Sequence, residues 1–465
     1  MGKKKALAKN IGILTLSQLA TKFISFFLIP LYTSILTTAD YGTFDLVNST
    51  VAILVPVFTL NISEAAVRFA IDDTVDKKTV LYIGVKYILI SNLIMIAGTA
   101  ALQFIPLIGR YGVYVCLIFF VQSGSSLLIS FARGLDQFKE ISIASVAASA
   151  IVIVSNILFL VVLDYGLDGY FIANILGPLF QIVYLFCRIK VWKYVGKQTA
   201  NTCEKEMLAY SRPLIANSVG WWVNNVSDRY IVTLFCGLGV NGIYSVASKI
   251  PSIMNLLVGI FNQAWTLSSA REFDAEDNDG FFSELYNFYN AAMILSCAVL
   301  IALNKILSGF LYSNEFYGAW QYVPFLLIAS ALGGISGYMG GIFSAVKDSK
   351  VIAKTTLAGA SVNLVLNIIF VPIWGAIGAA VATLISYWLT YAVRLHKLQE
   401  YIHMDLHIVR DNLSYVLLTI QGVWWFLGDA YLLQLLMSAL QLFFYRREVA
   451  KILSLVRKIW NRRFQ

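Results

Sequence analysis

Residues Ile141–Leu163 read ISIASVAASAIVIVSNILFLVVL, a run of 23 residues without a charge. As a helix rising 1.5 Å per residue it is about 34 Å long, enough to cross the roughly 30 Å hydrocarbon core of a bilayer. Strand-type alternation is absent from it and from the other apolar runs, which excludes an outer-membrane barrel. A helix is then the element that can satisfy its own backbone hydrogen bonds inside lipid.

The rest of the chain follows this pattern. Of 465 residues, 58% are hydrophobic and 13% charged, with a mean hydropathy of +0.72. A soluble domain is about a quarter charged, so lipid is the main solvent here. Working outward, spans precede Ile141–Leu163 at Ile11–Thr33, Tyr41–Ile62, Val80–Leu102 and Tyr111–Phe131, and Tyr170–Ile189 follows it. Past a basic linker come Leu214–Phe235, Val240–Trp265, Phe282–Leu303, Tyr322–Val346, Val351–Val371 and Ala376–Leu395. Two shorter runs, Leu413–Leu427 and Tyr431–Tyr445, form a final hairpin. The fold class is all-α and polytopic, with about fourteen transmembrane helices. Its organisation is two six-helix lobes, 1–200 and 201–400, and a helix pair with a basic cytoplasmic tail, 401–465. The N-terminus is basic, then apolar, and has no Ala-x-Ala cleavage site, so it reads as a retained first helix.

The basic residues orient this drawing. With both ends in the cytoplasm, 28 of the 35 Lys and Arg residues fall in or beside cytoplasmic segments, and only Arg110 and Lys305 lie outside. The other five, Lys22, Lys86, Arg212, Arg229 and Lys249, lie in or at the ends of spans. Because the positive charge is dispersed over short loops, the net charge of +9 does not describe a nucleic-acid patch. The tail from Arg446 to Arg463 reads as a surface helix on anionic lipid. Five isolated cysteines give neither a CxxC pair nor a disulfide framework. His403 and His407 stand four apart, without the glutamate that zincin chemistry requires. No P-loop, nucleophile motif or catalytic carboxylate pair appears, so the chain reads as neither an ATP engine nor an enzyme, with no cofactor beyond a coupling ion.

A weak internal repeat is visible. Tyr41-Gly42-Thr43-Phe44 is echoed by Asn241-Gly242-Ile243-Tyr244, and Asn156, Gly166 and Gly169 by Asn367, Gly375 and Gly378. Parallel repeats of six helices place a substrate path between the halves. The glycines Gly333, Gly337 and Gly341 make a small-residue stripe for helix packing. The loop acids Asp274, Glu276, Asp277 and Asp279 read as a solvated cluster.

Cations inside spans are costly, and the long ones snorkel when they can. Lys86 lies about 9 Å into its span and can snorkel. Arg212 precedes Pro213 at a helix start and reads as interfacial. Lys22 lies about 16 Å deep and Lys249 about 14 Å; Arg229 follows Asp228 in the outer half of its helix. These three are candidates to contact a diphosphate, whose charge needs fixed cations in a low-dielectric space. The alternative for these three is a buried ion pair with Asp45 or Asp228. Arg68 is a further candidate at the cytoplasmic mouth, where its plain reading is an ion pair with Glu64. Trp221 and Trp222 read as interfacial or packing aromatics.

The stretch Phe26-Phe27-Leu28-Ile29-Pro30-Leu31-Tyr32-Thr33 with Asp40-Tyr41-Gly42-Thr43-Phe44-Asp45 resembles the start of bacterial polysaccharide-repeat-unit flippases. So do Asn225-Val226-Ser227-Asp228-Arg229-Tyr230 and the turn at Gly166–Gly169. The resemblance implies the multidrug/oligosaccharidyl-lipid/polysaccharide exporter fold, alternating access, and an undecaprenyl-diphosphate-linked oligosaccharide moved to the outer leaflet of the bacterial cytoplasmic membrane. It also implies partners in polymer assembly, such as a polymerase, and lumenal cations for the diphosphate. Related lipid II flippases hold sodium with an Asp, an Asn and Asp one turn apart, and a Thr. Here Asn224 or Asp228, then Asn363 and Asn367, then Thr383 take those places, with an amide where the second carboxylate belongs. The coupling ion is therefore open between Na+ and H+. Two alternatives within the superfamily are a lipid II flippase and a cation-coupled drug exporter, the latter disfavoured by the dominance of basic charge. A membrane scaffold is the non-transport alternative, and it gives deep charges no task.

Overall fold

The computed structural model describes residues 17, 19–22, 26–72, 74–102, 109–194, 196, 201–428, 431–451 and 454. Most of the inner half of the expected first helix, and Arg457, Lys458, Arg462 and Arg463 of the basic tail, lie outside the described residues. The described residues form helices and no strand. Nine of the helices are long and apolar enough to cross a membrane, and one bent pair makes a tenth span. The count of fourteen is not reached among them. The helix over the expected seventh span is too polar for that test, as is the first of the final hairpin, and Tyr431–Phe444 is short.

Contacts divide the chain into two compact units: Met1–Tyr230 with Gly237–Gly242, and Ile231–Cys236 with Ile243–Gln465. In the first unit, α1 (Ile29–Ile35) leads into α2 (Thr38–Phe58) and α3 (Ile62–Ile71). Then come α4 (Lys77–Leu102), α5 (Gly112–Gly134), α6 (Phe138–Asn156), α7 (Gly166–Arg188) and α8 (Asn201–Cys236) as far as Tyr230. The start of α2 is a capping box: Thr37 Oγ1 accepts from Asp40 N–H at 3.1 Å, and the Asp40 carboxylate accepts from Thr37 N–H at 3.3 Å. Pro56 cannot donate into the α2 ladder, and the helix ends two residues later at Phe58, just before the left-handed pair Leu60 and Asn61.

The aromatic residues of the 26–45 stretch have a packing task. Tyr32, Tyr41 and Phe44 gather around Tyr170, with ring centroids 4.7, 6.1 and 4.1 Å away. Below them Ala65, Ala66 and Ala70 of α3 bury against Val80 and Leu81 of α4, Phe131 of α5 and Met207 of α8. That last contact shows why the division falls at Tyr230 rather than at the basic linker near 200. The first eight or so turns of α8 belong to the N-terminal unit through polar ties: Lys86 to Glu204 at 2.8 Å, Asn61 to Ser218 at 3.1 Å, and Tyr230 to Thr50 at 2.6 Å.

Gly237–Gly242 joins the first unit through the repeated glycines. A Cβ on Gly42 would lie 2.0 Å from the Leu238 carbonyl oxygen, and one on Gly242 would lie 1.9 Å from that of Thr38. The backbones of α2 and α9 (Leu238–Ala247) cross there too closely for any side chain. The two echoing motifs thus touch each other at their glycines.

The second unit continues with the rest of α9, α10 (Lys249–Glu272), α11 (Phe281–Ala302), α12 (Asn304–Leu311) and α13 (Val323–Ala345). It closes with α14 (Ser349–Trp374), α15 (Ala376–Leu398), α16 (Ile408–Leu427) and α17 (Tyr431–Phe444). The centre is α13, whose span is 78% buried, against 22% for the lipid-type α6 with which the sequence reading began. The glycine stripe serves packing on this helix: Gly337 and Gly341 admit Asn262 and Trp265 of α10, and Gly333 admits Tyr387 of α15. The expected eighth span is not one straight helix but α9 and α10, bent by 42° at Ser248. In the acidic loop, Asp277 is buried rather than solvated, because its carboxylate accepts from the Phe282 and Ser283 N–H groups at the start of α11. Asp348 caps α14, and the Tyr401 hydroxyl holds its carboxyl below the usual range.

Candidate functional site

The residues singled out from sequence fall in both units. Lys22, Arg68, Asn224, Asp228 and Arg229 belong to the first; Lys249, Asn363, Asn367 and Thr383 belong to the second.

In the first unit, Arg229 is ion-paired. Its Nη1 lies 2.6 Å from Asp45 Oδ1 and 3.4 Å from Ser49 Oγ, with both charged side chains largely buried. Trp222 Nε1–H donates to the Ser49 carbonyl at 2.7 Å one turn away. Asp45, Ser49 and Thr50 of α2 therefore face Trp222, Arg229 and Tyr230 of α8 as one polar seam. Asn224 and Asp228 are half-buried on the same helix. Lys22 is exposed, as is Arg68 in the last turn of α3. Glu64, four residues before Arg68, makes no ion pair with it among the described residues.

Glu64 instead lines a cavity of about 440 Å³ within this unit. One wall is a single face of α5: Gln122, Ser125, Ser126, Ile129, Ser130 and Arg133 recur at the three- and four-residue spacing that stacks side chains on one side of a helix. Ser125 donates to Gln181 at 2.7 Å, and Gln122 is 3.5 Å from Asn48 Oδ1. Ser126 and Ser130 make no hydrogen bond among the described residues, and neither Glu64 nor Arg133 makes an ion pair there. Sequence reading missed this face because it weighed charges and Asn, while α5 has an apolar mean hydropathy of 1.9. The signal that could have found it was the polar residues at i, i+3, i+4 and i+8 ending on an arginine.

In the second unit, Lys249 is the first residue of α10, half-buried at the bend. No acidic residue stands in that first turn, and Lys249 has no ion-pair partner among the described residues. The amides come together: Asn363 Nδ2–H donates to Thr383 Oγ1 at 3.2 Å, and Asn367 Nδ2–H donates to Asn363 Oδ1 at 3.1 Å. Asn363 and Asn367 are buried, and Asn367 Oδ1 has no donor. Among the described residues no three His, Cys, Asp or Glu side chains are placed to share a metal ion. A second cavity, of about 690 Å³, lies by the α10–α11 turn, where Glu276, Asp279, His403, Asp405 and Lys451 line it.

The architecture matches solved membrane transporters. Across 95% of this chain and 99% of the other, it superposes on the lipid II flippase MurJ in an inward closed conformation, with a TM-score of 0.68 at 17% identity. It also superposes on an inward-facing multidrug resistance MATE family transporter of the MOP superfamily, with a TM-score of 0.69 at 12% identity, over 83% of this chain and 94% of that one. In sequence it is 22% identical over 303 residues to the probable low-salt glycan biosynthesis flippase Agl15 of Haloferax volcanii, covering 63% of this chain and 62% of that relative. The chain thus spans less than two thirds of that relative's length. These proteins are flippases and transporters, not enzymes. The family model described as polysaccharide biosynthesis protein matches residues 7–266, more than half of the sequence. The chain belongs to the polysaccharide biosynthesis protein family.

Proposed function

We propose that this protein flips undecaprenyl-diphosphate-linked oligosaccharide repeat units from the inner to the outer leaflet of the bacterial cytoplasmic membrane by ion-coupled alternating access. Membership of a polysaccharide biosynthesis family supports a glycan cargo, and the fold shared with transporters supports alternating access. The observation that carries the diphosphate contact is Lys249. It is a half-buried ammonium at the first turn of a 24-residue helix, with no acidic residue in that turn, so its charge is available to an anion. Lys22 and Arg68 are exposed cations of the first unit and in this reading further contacts for a lipid-linked diphosphate, and both termini are cytoplasmic in the orientation set by the basic loops. Arg229 enters it only when its bond to Asp45 opens.

Ion coupling is assigned to the Asn363–Asn367–Thr383 cluster of the second unit, with Asp228 and Asn224 of the first unit as separate candidates. The spare Asn367 oxygen accepts either a cation or a proton donor. The test is flipping of a fluorescent polyprenyl-diphosphate oligosaccharide in proteoliposomes. Lys249→Ala should slow it roughly tenfold or more, the value of one charge-assisted contact. A wild-type rate in that variant would remove the diphosphate contact from Lys249. Replacing sodium by choline in the same assay slows flipping if Na+ is the coupling ion, and an unchanged rate assigns the coupling to protons.

A further inference from the structure

The polar face of α5 has no task in the diphosphate contact, and its construction is that of a binding surface. Gln122 lies twelve residues before the end of α5, about 18 Å along the helix, so this face runs from the helix end to mid-membrane depth. Polar side chains at that depth face protein or a water-filled cavity, never lipid. Here they face a cavity, and Ser126, Ser130, Glu64 and Arg133 reach it with their hydrogen-bonding capacity open. Pro56 has no N–H to give the Ala52 carbonyl, and Ala52 lines the same space.

The chemistry of the lining selects a class of ligand. None of the lining residues is aromatic, which disfavours a flat drug-like cation. Glu64 and Arg133 oppose each other in charge, so the mouth favours neither an anion nor a cation by net charge. What remains is a mixture suited to a polyhydroxyl ring. Serine hydroxyls donate and accept, the Gln122 amide does both, the Glu64 carboxylate accepts from two hydroxyls, and the Arg133 guanidinium donates to hydroxyl and ring oxygens. Val55, Pro56, Ile129 and Pro178 supply apolar surface for the C–H faces of the ring. The volume of about 440 Å³ lies in the range of small-molecule pockets.

We propose that this cavity is a sugar-binding subsite that holds an uncharged ring of the lipid-linked glycan, with Gln122, Ser126 and Ser130 as its hydroxyl-reading groups. The cargo named here rests on the flippase reading above; the sugar contact itself does not require transport.

The full-length protein in nanodiscs is titrated calorimetrically with the soluble oligosaccharide repeat unit released from the source strain's own surface polymer. In parallel, proteoliposomes are assayed with the oligosaccharide lipid and with bare polyprenyl diphosphate. For the double variant Gln122→Met/Ser126→Ala, we expect glycan affinity to fall about tenfold, and the ratio of oligosaccharide-lipid to bare-lipid flipping to fall by a similar factor. Ser126→Thr, which keeps the hydroxyl, should restore most of the affinity in the Gln122-containing chain relative to Ser126→Ala. Wild-type affinity in the double variant, or no glycan binding by the wild type, overturns the subsite. A wild type that binds the sugar but flips neither lipid leaves the subsite standing and removes the flippase reading. A wild type that flips both lipids while the double variant keeps the wild-type ratio does the reverse.

Discussion

On α5, Ser126, Ser130 and Arg133 face a cavity with their hydrogen-bonding groups open, whereas at the start of α16 the same kinds of groups are closed on one another. Arg410 donates from Nε to Asp411 at 3.1 Å, from Nη1 to Glu448, and from Nη2 to Asn287 at 3.0 Å, while its guanidinium lies 4.3 Å from the Tyr445 ring. Tyr445 in turn donates to Asp411 at 2.8 Å, and Tyr415 donates to Asn290 at 2.9 Å. Three parts of the second unit, α11, α16 and the segment after α17, are tied at one cation. The difference is one of completion. A polar group at membrane depth is expensive until it is partnered. Where the charged groups partner one another, as Arg410 does with Asp411 and Glu448, they hold helices together; where the protein leaves such groups open, water or a ligand must partner them.

The first way to break this contrast is to remove the cation of the closed network. Asp411 is fully buried, and both Asp411 Oδ2 and Glu448 Oε2 already lack a donor. Arg410→Met would leave two buried carboxylates without their shared counter-charge. The expected loss is about 3–5 kcal/mol, the usual result of removing one member of a buried ion cluster. Unfolding in mixed micelles, or the level of folded protein in membranes, measures it. A loss below about 1 kcal/mol would mean that the cluster is wet and that the two regions do not differ in kind.

A smaller effect is expected at Arg394, which is buried near the end of α15 without a carboxylate among its bonded partners. Its Nε donates to Thr355 at 2.9 Å, its Nη1 to the Ser336 carbonyl at 2.7 Å, and its Nη2 to Thr356 at 2.8 Å. The planar fork reaches α13 and α14 at once, and an ammonium cannot reproduce that geometry. Arg394→Lys keeps the charge and should still cost roughly 1–3 kcal/mol by the same unfolding measurement. A neutral outcome would show that charge, not fork geometry, satisfies these acceptors.

Much of this was legible in the chain and some of it was not, for reasons that differ by residue. Long uncharged runs such as Ile141–Leu163 have one physical solution in lipid, so the helical class followed from composition. Gly42 and Gly242 were readable as a repeat because a close backbone crossing admits no other residue. The bend at Ser248 is marked by Pro251, which has no N–H for the Ala247 carbonyl, but the apolar run continues through it and reads as one span. Asp45 and Asp228 were readable as partners for the deep cations, but not that Arg229 takes Asp45, because that depends on how α8 is rotated against α2. The division of units at Tyr230 was hidden for a related reason. Loop charge marks where a chain turns, while side-chain ties from Glu204, Ser218 and Tyr230 decide which unit a helix joins. The face of α5 was concealed by its own composition, since serine and glutamine scarcely lower the hydropathy of a long helix.

The smallest expected effect is the most discriminating. If Ser126 and Ser130 are open groups, replacing each by alanine breaks no internal bond and empties little volume, so Ser126→Ala and Ser130→Ala should each stay within about 0.5 kcal/mol of the wild type in unfolding. The same substitutions delete a hydroxyl from the cavity wall, so glycan affinity should fall severalfold for each, as expected for one neutral hydrogen bond of about 1 kcal/mol. Stability and binding would then move independently on α5. For Arg410→Met the order is reversed, with a large loss of stability that no added sugar restores. Should Ser126→Ala or Ser130→Ala unfold as readily as a variant of the closed network, those hydroxyls are partnered in the folded protein, and the α5 face is a packing seam.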